Sequence, residues 1–121
     1  MTTETLPRGQ QERLPGRRDI DIFEFRVGNG PVTRLRVGKK PDGTPGEIFI
    51  SQSKTGTFAR GMTDSFARLL SLSLQCGVPL ERVCDLFAGT KFEPSGFVEG
   101  DDIEADSLVD YIVTLLKREY L

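Results

Sequence analysis

Apolar and polar positions divide the chain into two halves of different period. From Asp19, the residues Ile20, Ile22, Phe23, Phe25 and Val27 recur near period two and predict a strand of about eight residues. Gly28-Asn29-Gly30-Pro31 is a strong turn signal. Val32, Leu35 and Val37 form a second strand, with Arg34 and Arg36 pointing away from Leu35. Lys39 to Gly46, rich in Pro, Gly and Asp-Gly, predicts a second turn. Glu47 to Ser51 is a third strand, whose unbroken Ile48-Phe49-Ile50 suits a strand buried on both faces or packed under a helix.

The period then lengthens. Phe58 to Cys76 puts Met62, Phe66, Leu69, Leu70 and Leu74 on one helical face, with Leu72 at its flank. Thr57 stands where an N-cap is wanted and Gly77 where the closing left-handed residue is wanted. Pro79 suits the first position of a shorter helix running to about Ala88 and closed by Gly89, with Leu80, Val83, Leu86 and Phe87 inward. Residues 91 to 103 read as loop. A last helix begins near Ala105 or Asp106 and runs toward Glu119, with Leu108, Val109, Ile112, Leu115 and Leu116 as its stripe. A sheet with one apolar face needs a cover. The expected class is therefore α+β, a three-stranded antiparallel meander packed on one face by two or three C-terminal helices.

Composition narrows the chemistry. The 121 residues suit one domain, here residues 19 to 121, preceded by a flexible N-terminal arm over residues 1 to 18. A net charge of −2 gives no general attraction to nucleic acid or anionic lipid. Histidine is absent, which removes the commonest general base and metal ligand and excludes Ser-His-Asp and Cys-His catalysis. Cys76 and Cys84 fit neither a redox pair nor a zinc spacing and read as free thiols. No apolar run approaches a membrane span and residues 1 to 18 lack the apolar middle of a secretory signal, so the expectation is a cytoplasmic protein.

Three stretches are candidate contacts. Ser53, Lys54 and Thr55 precede a helix start, so they read either as a capped strand-to-helix loop or as a site for a phosphate or a partner's carboxylate. The spacing is not that of a Walker loop. Phe92 and Phe97, in a Pro/Gly loop, either fold back onto the core or form an exposed contact patch. Arg17 and Arg18 end the arm and are either solvated or a docking element for an acidic surface. The carboxylates Asp101, Asp102, Glu104 and Asp106 suit the positive end of the helix that follows and have no metal-ligand spacing. Lys54 and Tyr111 would need burial to act as acid or base. No catalytic, cofactor or metal set is composed.

Several blocks in order carry a resemblance: Asp42-Gly43-Thr44-Pro45-Gly46-Glu47-Ile48-Phe49-Ile50, Ser71-Leu72 with Leu74-Gln75, Gly77-Val78-Pro79-Leu80, Phe92-Glu93-Pro94-Ser95-Gly96 and Asp110-Tyr111-Ile112. They resemble the TSCPD-type domain near the C-terminus of class II, adenosylcobalamin-dependent ribonucleotide reductases, over about residues 20 to 120, and Arg13-Leu14-Pro15 looks like the family's entry to it. In that family the radical cysteines and cobalamin site lie in a large N-terminal barrel with no counterpart here. The cysteine-rich tail is also missing, and Cys76 does not match a redox cysteine. The resemblance implies a non-catalytic region in a stand-alone version, with no cofactor of its own. Because some relatives divide the reductase over two chains, it implies a large reductase subunit as partner and a role in deoxyribonucleotide synthesis through protein contact. The alternative is an independent, homodimeric interaction module. Nucleotide or nucleic-acid binding through Arg17, Arg18 and the Ser53-Lys54-Thr55 loop is the least supported, since basic excess and stacking motifs are lacking.

Overall fold

A computed structural model describes residues 9–121. Its elements in chain order are β1 (Ile20–Phe25), β2 (Thr33–Lys39), β3 (Pro45–Gln52), α1 (Thr57–Gln75), α2 (Leu80–Phe87), β4 (Gly96–Val98), β5 (Ile103–Ala105) and α3 (Leu108–Tyr120). The first three strands form the expected antiparallel meander in the order β1-β2-β3. β4 and β5 form a separate short hairpin that begins in the stretch read as loop and runs to Ala105, so the last helix starts at Leu108 rather than near Ala105 or Asp106. Three residues per strand are too few to show a period, which is why the sequence hides it.

Pleating sorts the meander into two faces. Phe23, Leu35 and Ile50 lie across from one another on the inner face, beside Val37 and Ile48. There Leu35, Val37, Ile48 and Ile50 are buried together with Ile112, Leu115 and Leu116 of α3. The Tyr111 ring lies 4.6 Å from that of Phe25. On the outer face Ile22, Arg36 and Phe49 form a cross-strand row, with the Arg36 guanidinium 5.2 Å above the Phe49 ring. Phe49 is exposed, so β3 is not buried on both faces.

α1 does not lie flat on the inner face. It runs antiparallel to β3 along the strand's free edge. The Ser71 hydroxyl accepts from the Ile48 amide at 2.8 Å and lies 3.1 Å from the Ile48 carbonyl oxygen, while Gln75 Nε2 donates to the Gly46 carbonyl at 2.7 Å. The two elements stay in step because four helical residues rise about 6 Å and two strand residues about 6.6 Å. An open strand edge is thereby paired by side chains. Of the predicted stripe, Leu70 and Leu74 are buried, joined by Ala67 and Gln75, and Phe66 packs against the core, whereas Met62 (58 % exposed) and Leu69 (63 %) face solvent.

The helix ends also differ from expectation. Gly56 holds the N-cap position of α1 without a side-chain bond, and Thr57 is the first helical residue. Gly77 and Gly89 have the positive φ their closing roles require (+91° and +78°). Pro79 is the N-cap of α2 rather than its first residue. Leu86 is 72 % exposed, contrary to its predicted inward placement. Ser107 caps α3 by accepting from the Asp110 amide at 3.0 Å, and its hydroxyl donates to the Thr90 carbonyl at 2.6 Å.

Residues 11 to 18, part of the predicted arm, have no regular structure but are tied to the domain. The Glu12 amide donates to the Gln75 carbonyl at 2.8 Å, and Arg18 meets the Glu47 carboxylate with two nitrogens. Residues 1–8 of the arm lie outside the described residues.

Candidate functional site

The predicted contact residues fall in different places. Lys54 is exposed, with φ of +43°. Ser53 is exposed and its amide continues the β2–β3 ladder, donating to the Val32 carbonyl at 3.0 Å. Arg18 is engaged by Glu47, whereas Arg17 is exposed. Phe97 projects from the middle of β4, 51 % exposed, away from the other candidates. Thr55 and Phe92 are brought together, as walls of one groove.

That groove encloses about 520 Å³ and is lined chiefly by carbon, from Phe58, Met62 and Phe66 of α1, Phe92 and Pro94 of the following loop, and Val109 of α3. Phe58 is 80 % exposed in the first turn of α1. A second groove of similar volume lies between α1 and α2 and includes Leu69, Val78, Leu86 and Phe87, with Arg82 and Asp85 as its charged residues. Phe66 lines both, and its ring meets Phe87 edge-on at 5.3 Å. α1 thus carries two apolar stripes. Ala67, Leu70 and Leu74 enter the core, while Phe58, Met62, Phe66 and Leu69, spaced by three or four, line the grooves. Phe58, Met62 and Leu69 are thus large apolar residues exposed on one side of α1. The sequence pattern contained this signal, since the apolar arc of α1 is too wide for one buried stripe.

Several titratable groups are tied into pairs that hold the fold together. Asp101 accepts from the Tyr111 hydroxyl and from Arg118 Nη1, the latter at 2.6 Å. The Arg118 hydrogen bond, and then that of Tyr111, hold the Asp101 carboxyl below the usual range. Burial, and then the bond to Asp101, push the Tyr111 phenol up to about 12, so it stays protonated at neutral pH and serves as a donor. Asp21 accepts from the Tyr120 hydroxyl at 2.6 Å and sits 3.3 Å from Lys39 Nζ. Its carboxyl is likewise held low, chiefly by Tyr120. Burial raises the Cys84 thiol, making it a poorer nucleophile. These groups pin α3 to β1 and to the β4–β5 connection. Among the described residues no three His, Cys, Asp or Glu side chains are grouped to hold a metal ion.

The TSCPD domain profile matches residues 10–120. The chain belongs to the TSCPD domain family. This TSCPD domain is 44 % identical over 114 residues to a vitamin B12-dependent ribonucleotide reductase of Agrobacterium fabrum, a match covering 93 % of this chain and 9 % of the relative. It is 44 % identical over 108 residues to the enzyme of that name from Rhodopirellula baltica, covering 88 % and 10 %. Against that of Streptantibioticus cattleyicolor the identity is 38 % over 112 residues, covering 92 % and 18 %. The TSCPD chain therefore corresponds to a small part of these relatives. No solved structure matches it. Among the described residues no helix is long and apolar enough to cross a membrane.

Proposed function

We propose that this chain is a non-catalytic accessory part of a class II, B12-dependent ribonucleotide reductase, supporting deoxyribonucleotide synthesis in the cytoplasm by contact with a large catalytic subunit. The observation that carries the reading is the double apolar groove along α1, on a domain whose relatives contain it within chains many times longer. A domain cut from such a chain would leave uncovered the face that packs on the remainder. Phe58, Met62 and Leu69 are the anchors of the proposed contact, and Arg82 and Asp85 lie on its rim, where charges steer more than they hold. Adenosylcobalamin and the radical chemistry belong to the large subunit, and no step is assigned to this chain.

The test is reconstitution with a B12-dependent reductase subunit lacking this domain, read by co-elution and by ribonucleotide reduction. The chain is expected to bind and to change turnover, and Met62→Lys with Leu69→Lys to abolish both while the chain stays folded. Neither binding nor a change in turnover would remove the proposal. An independent homodimeric module is the second reading, favoured by the bare edge of β1.

A further inference from the structure

β3 and α1 also frame a furrow that opens on the outer face of the sheet. Its wider part encloses about 630 Å³ and includes Arg36 and Phe49 of the sheet with Arg68 and Leu72 of α1. A narrower part of about 310 Å³ continues it past Ile50, Ser51 and Asp64, which line both parts, to Thr55 and Arg60. Arg60, Asp64 and Arg68 stand at four-residue spacing and share one row of α1, a different row from Phe58, Met62 and Leu69. Phe49 and Leu72 are exposed. The charges here are left open. Arg18, Arg34 and Lys39 nearby are paired with Glu47, Glu24 and Asp21. Among the described residues, Arg36, Arg60 and Arg68 have no carboxylate within ion-pair distance. Of the carboxylates lining the furrow, Glu47 is taken by Arg18 and Asp64 is in no ion pair. Three open guanidiniums thus stand against one open carboxylate, on a chain whose net charge is −2.

We propose that this furrow binds an extended acidic segment of a protein partner, with carboxylates on Arg36 and Arg68 at one end and on Arg60 at the other. This contact lies on another side of α1 from the proposed reductase contact and does not depend on it. Charge and spacing select the occupant. A guanidinium pairs with a carboxylate through two parallel hydrogen bonds, a geometry that an open arginine is built to offer. Arg60 and Arg68 are separated by two steps of four along α1, about 12 Å. Carboxylates four residues apart in an extended segment are separated by about 13 Å and lie on one of its faces. The residue midway between them falls opposite Asp64, where a third carboxylate would meet a like charge. Leu72, a further step of about 6 Å beyond Arg68, and Phe49 offer carbon to an apolar side chain two residues further along the segment. A nucleic-acid strand fits less well. Among the described residues Phe49 is the one aromatic lining the furrow, and the Arg36 guanidinium already lies 5.2 Å above its ring, so a row of stacking rings is lacking. Asp64 would also oppose the phosphates of an unbroken polyanion.

Fluorescence anisotropy reads the outcome, with the full chain and a labelled peptide carrying Glu at two positions four apart, Ser between them and Leu two positions beyond. The peptide should bind with Kd below about 100 μM at low ionic strength, and more weakly as salt is raised. Arg36→Gln and Arg68→Glu, both at exposed positions, should each weaken binding by at least about fivefold. Lys91→Glu, the same change of charge at an exposed site outside the furrow, should leave it within about twofold. Asp64→Asn should tighten binding, a gain that a merely structural role would not produce. Thermal unfolding confirms that each variant is folded. The same peptide with Lys in place of both Glu residues should not bind, and an oligothymidylate strand should bind more weakly than the acidic peptide. Absence of peptide binding, an equal loss in Lys91→Glu, or tighter binding of the oligothymidylate overturns the proposal. Reconstitution with a reductase subunit reads the apolar grooves instead, so the two proposals fail separately.

Discussion

Replacing Ser71 by alanine should destabilise the domain by about 1–2 kcal/mol, well above the effect expected at an ordinary helix surface. Ile48 is buried, and its amide donates to the Ser71 hydroxyl at 2.8 Å. The same hydroxyl has one proton to give and two carbonyls in reach, Ile48 at 3.1 Å and Ala67 at 2.9 Å. Alanine therefore strands one buried amide outright and weakens the satisfaction of one carbonyl. Leaving a buried donor without its partner costs about 1–3 kcal/mol. Alanine's better helix propensity returns less than about 0.7 kcal/mol. For a domain of this size the net loss lowers Tm by roughly 3–10 °C. Thermal and urea unfolding measure it, and an unchanged urea slope would locate the effect in the native state. Hydrogen exchange at Ile48 should quicken in the variant. Ser73→Ala is the control, because that hydroxyl bonds only the Leu69 carbonyl one turn back in α1, at 2.8 Å, and its loss should be near neutral. A Ser71→Ala protein with the parent's Tm, or a larger loss at Ser73, would refute the role of α1 as the cover of the β3 edge.

Asp110→Ala should cost about 1–2 kcal/mol in chemical denaturation, since its carboxylate accepts from the Asp106 and Gly89 amides and ties the end of α2 to the start of α3. Gly28→Ala should cost at least about 2 kcal/mol, because φ is +57° there and a Cβ would lie 2.4 Å from the Ser95 carbonyl oxygen; a variant with unchanged stability would contradict this close approach. Acid should loosen the contacts of α3. Asp21 and Asp101 titrate lower folded than unfolded, so their contribution is whole above about pH 4 and is lost as pH falls through the depressed values; Asp101→Asn should flatten part of that slope in stability measured against pH. Alkali acts with the opposite sign, because Tyr111, held up at about 12, favours the folded state below its ordinary pKa near 10 and loses that contribution as pH rises through 12; Tyr111→Phe should remove this fall from the same measurement.

The meander was legible because its strands are long enough to show period two and its turns are marked by Gly, Pro and Asp-Gly. Leu35 and Val37 point inward with Arg34 and Arg36 outward, as alternation requires. The β4–β5 hairpin was not legible, since Gly96–Val98 and Ile103–Ala105 are shorter than any period they could reveal. The inward face of α1 was misread only at Met62 and Leu69, for a different reason. Hydrophobicity points to Met62 and Leu69, whereas close approach to a strand edge selects small and hydrogen-bonding residues, and Ala67, Ser71 and Gln75 at four-residue spacing are that signature. Of the candidate contacts, Thr55 and Phe92 share a groove with Phe58 and Met62, which the loop-centred reading had not named as contacts. Arg18 is occupied by Glu47, because the residues leading into β1 are fastened beside β3.

These placements follow from one constraint. A three-stranded sheet has two edges and two faces, and the described residues supply three helices. α3 covers the inner face and α2 packs on α3. α1, committed to the edge of β3 through Ser71 and Gln75, can turn only part of its circumference to the core. Its remaining apolar residues, Phe58, Met62 and Leu69, are left outward while Ser71 holds the Ile48 amide. Apolar residues that the fold exposes in this way are what the proposed contact would cover. Polar replacements at Met62 and Leu69 should accordingly leave stability unchanged or raise it, and that result would separate a docking face from a poorly packed core.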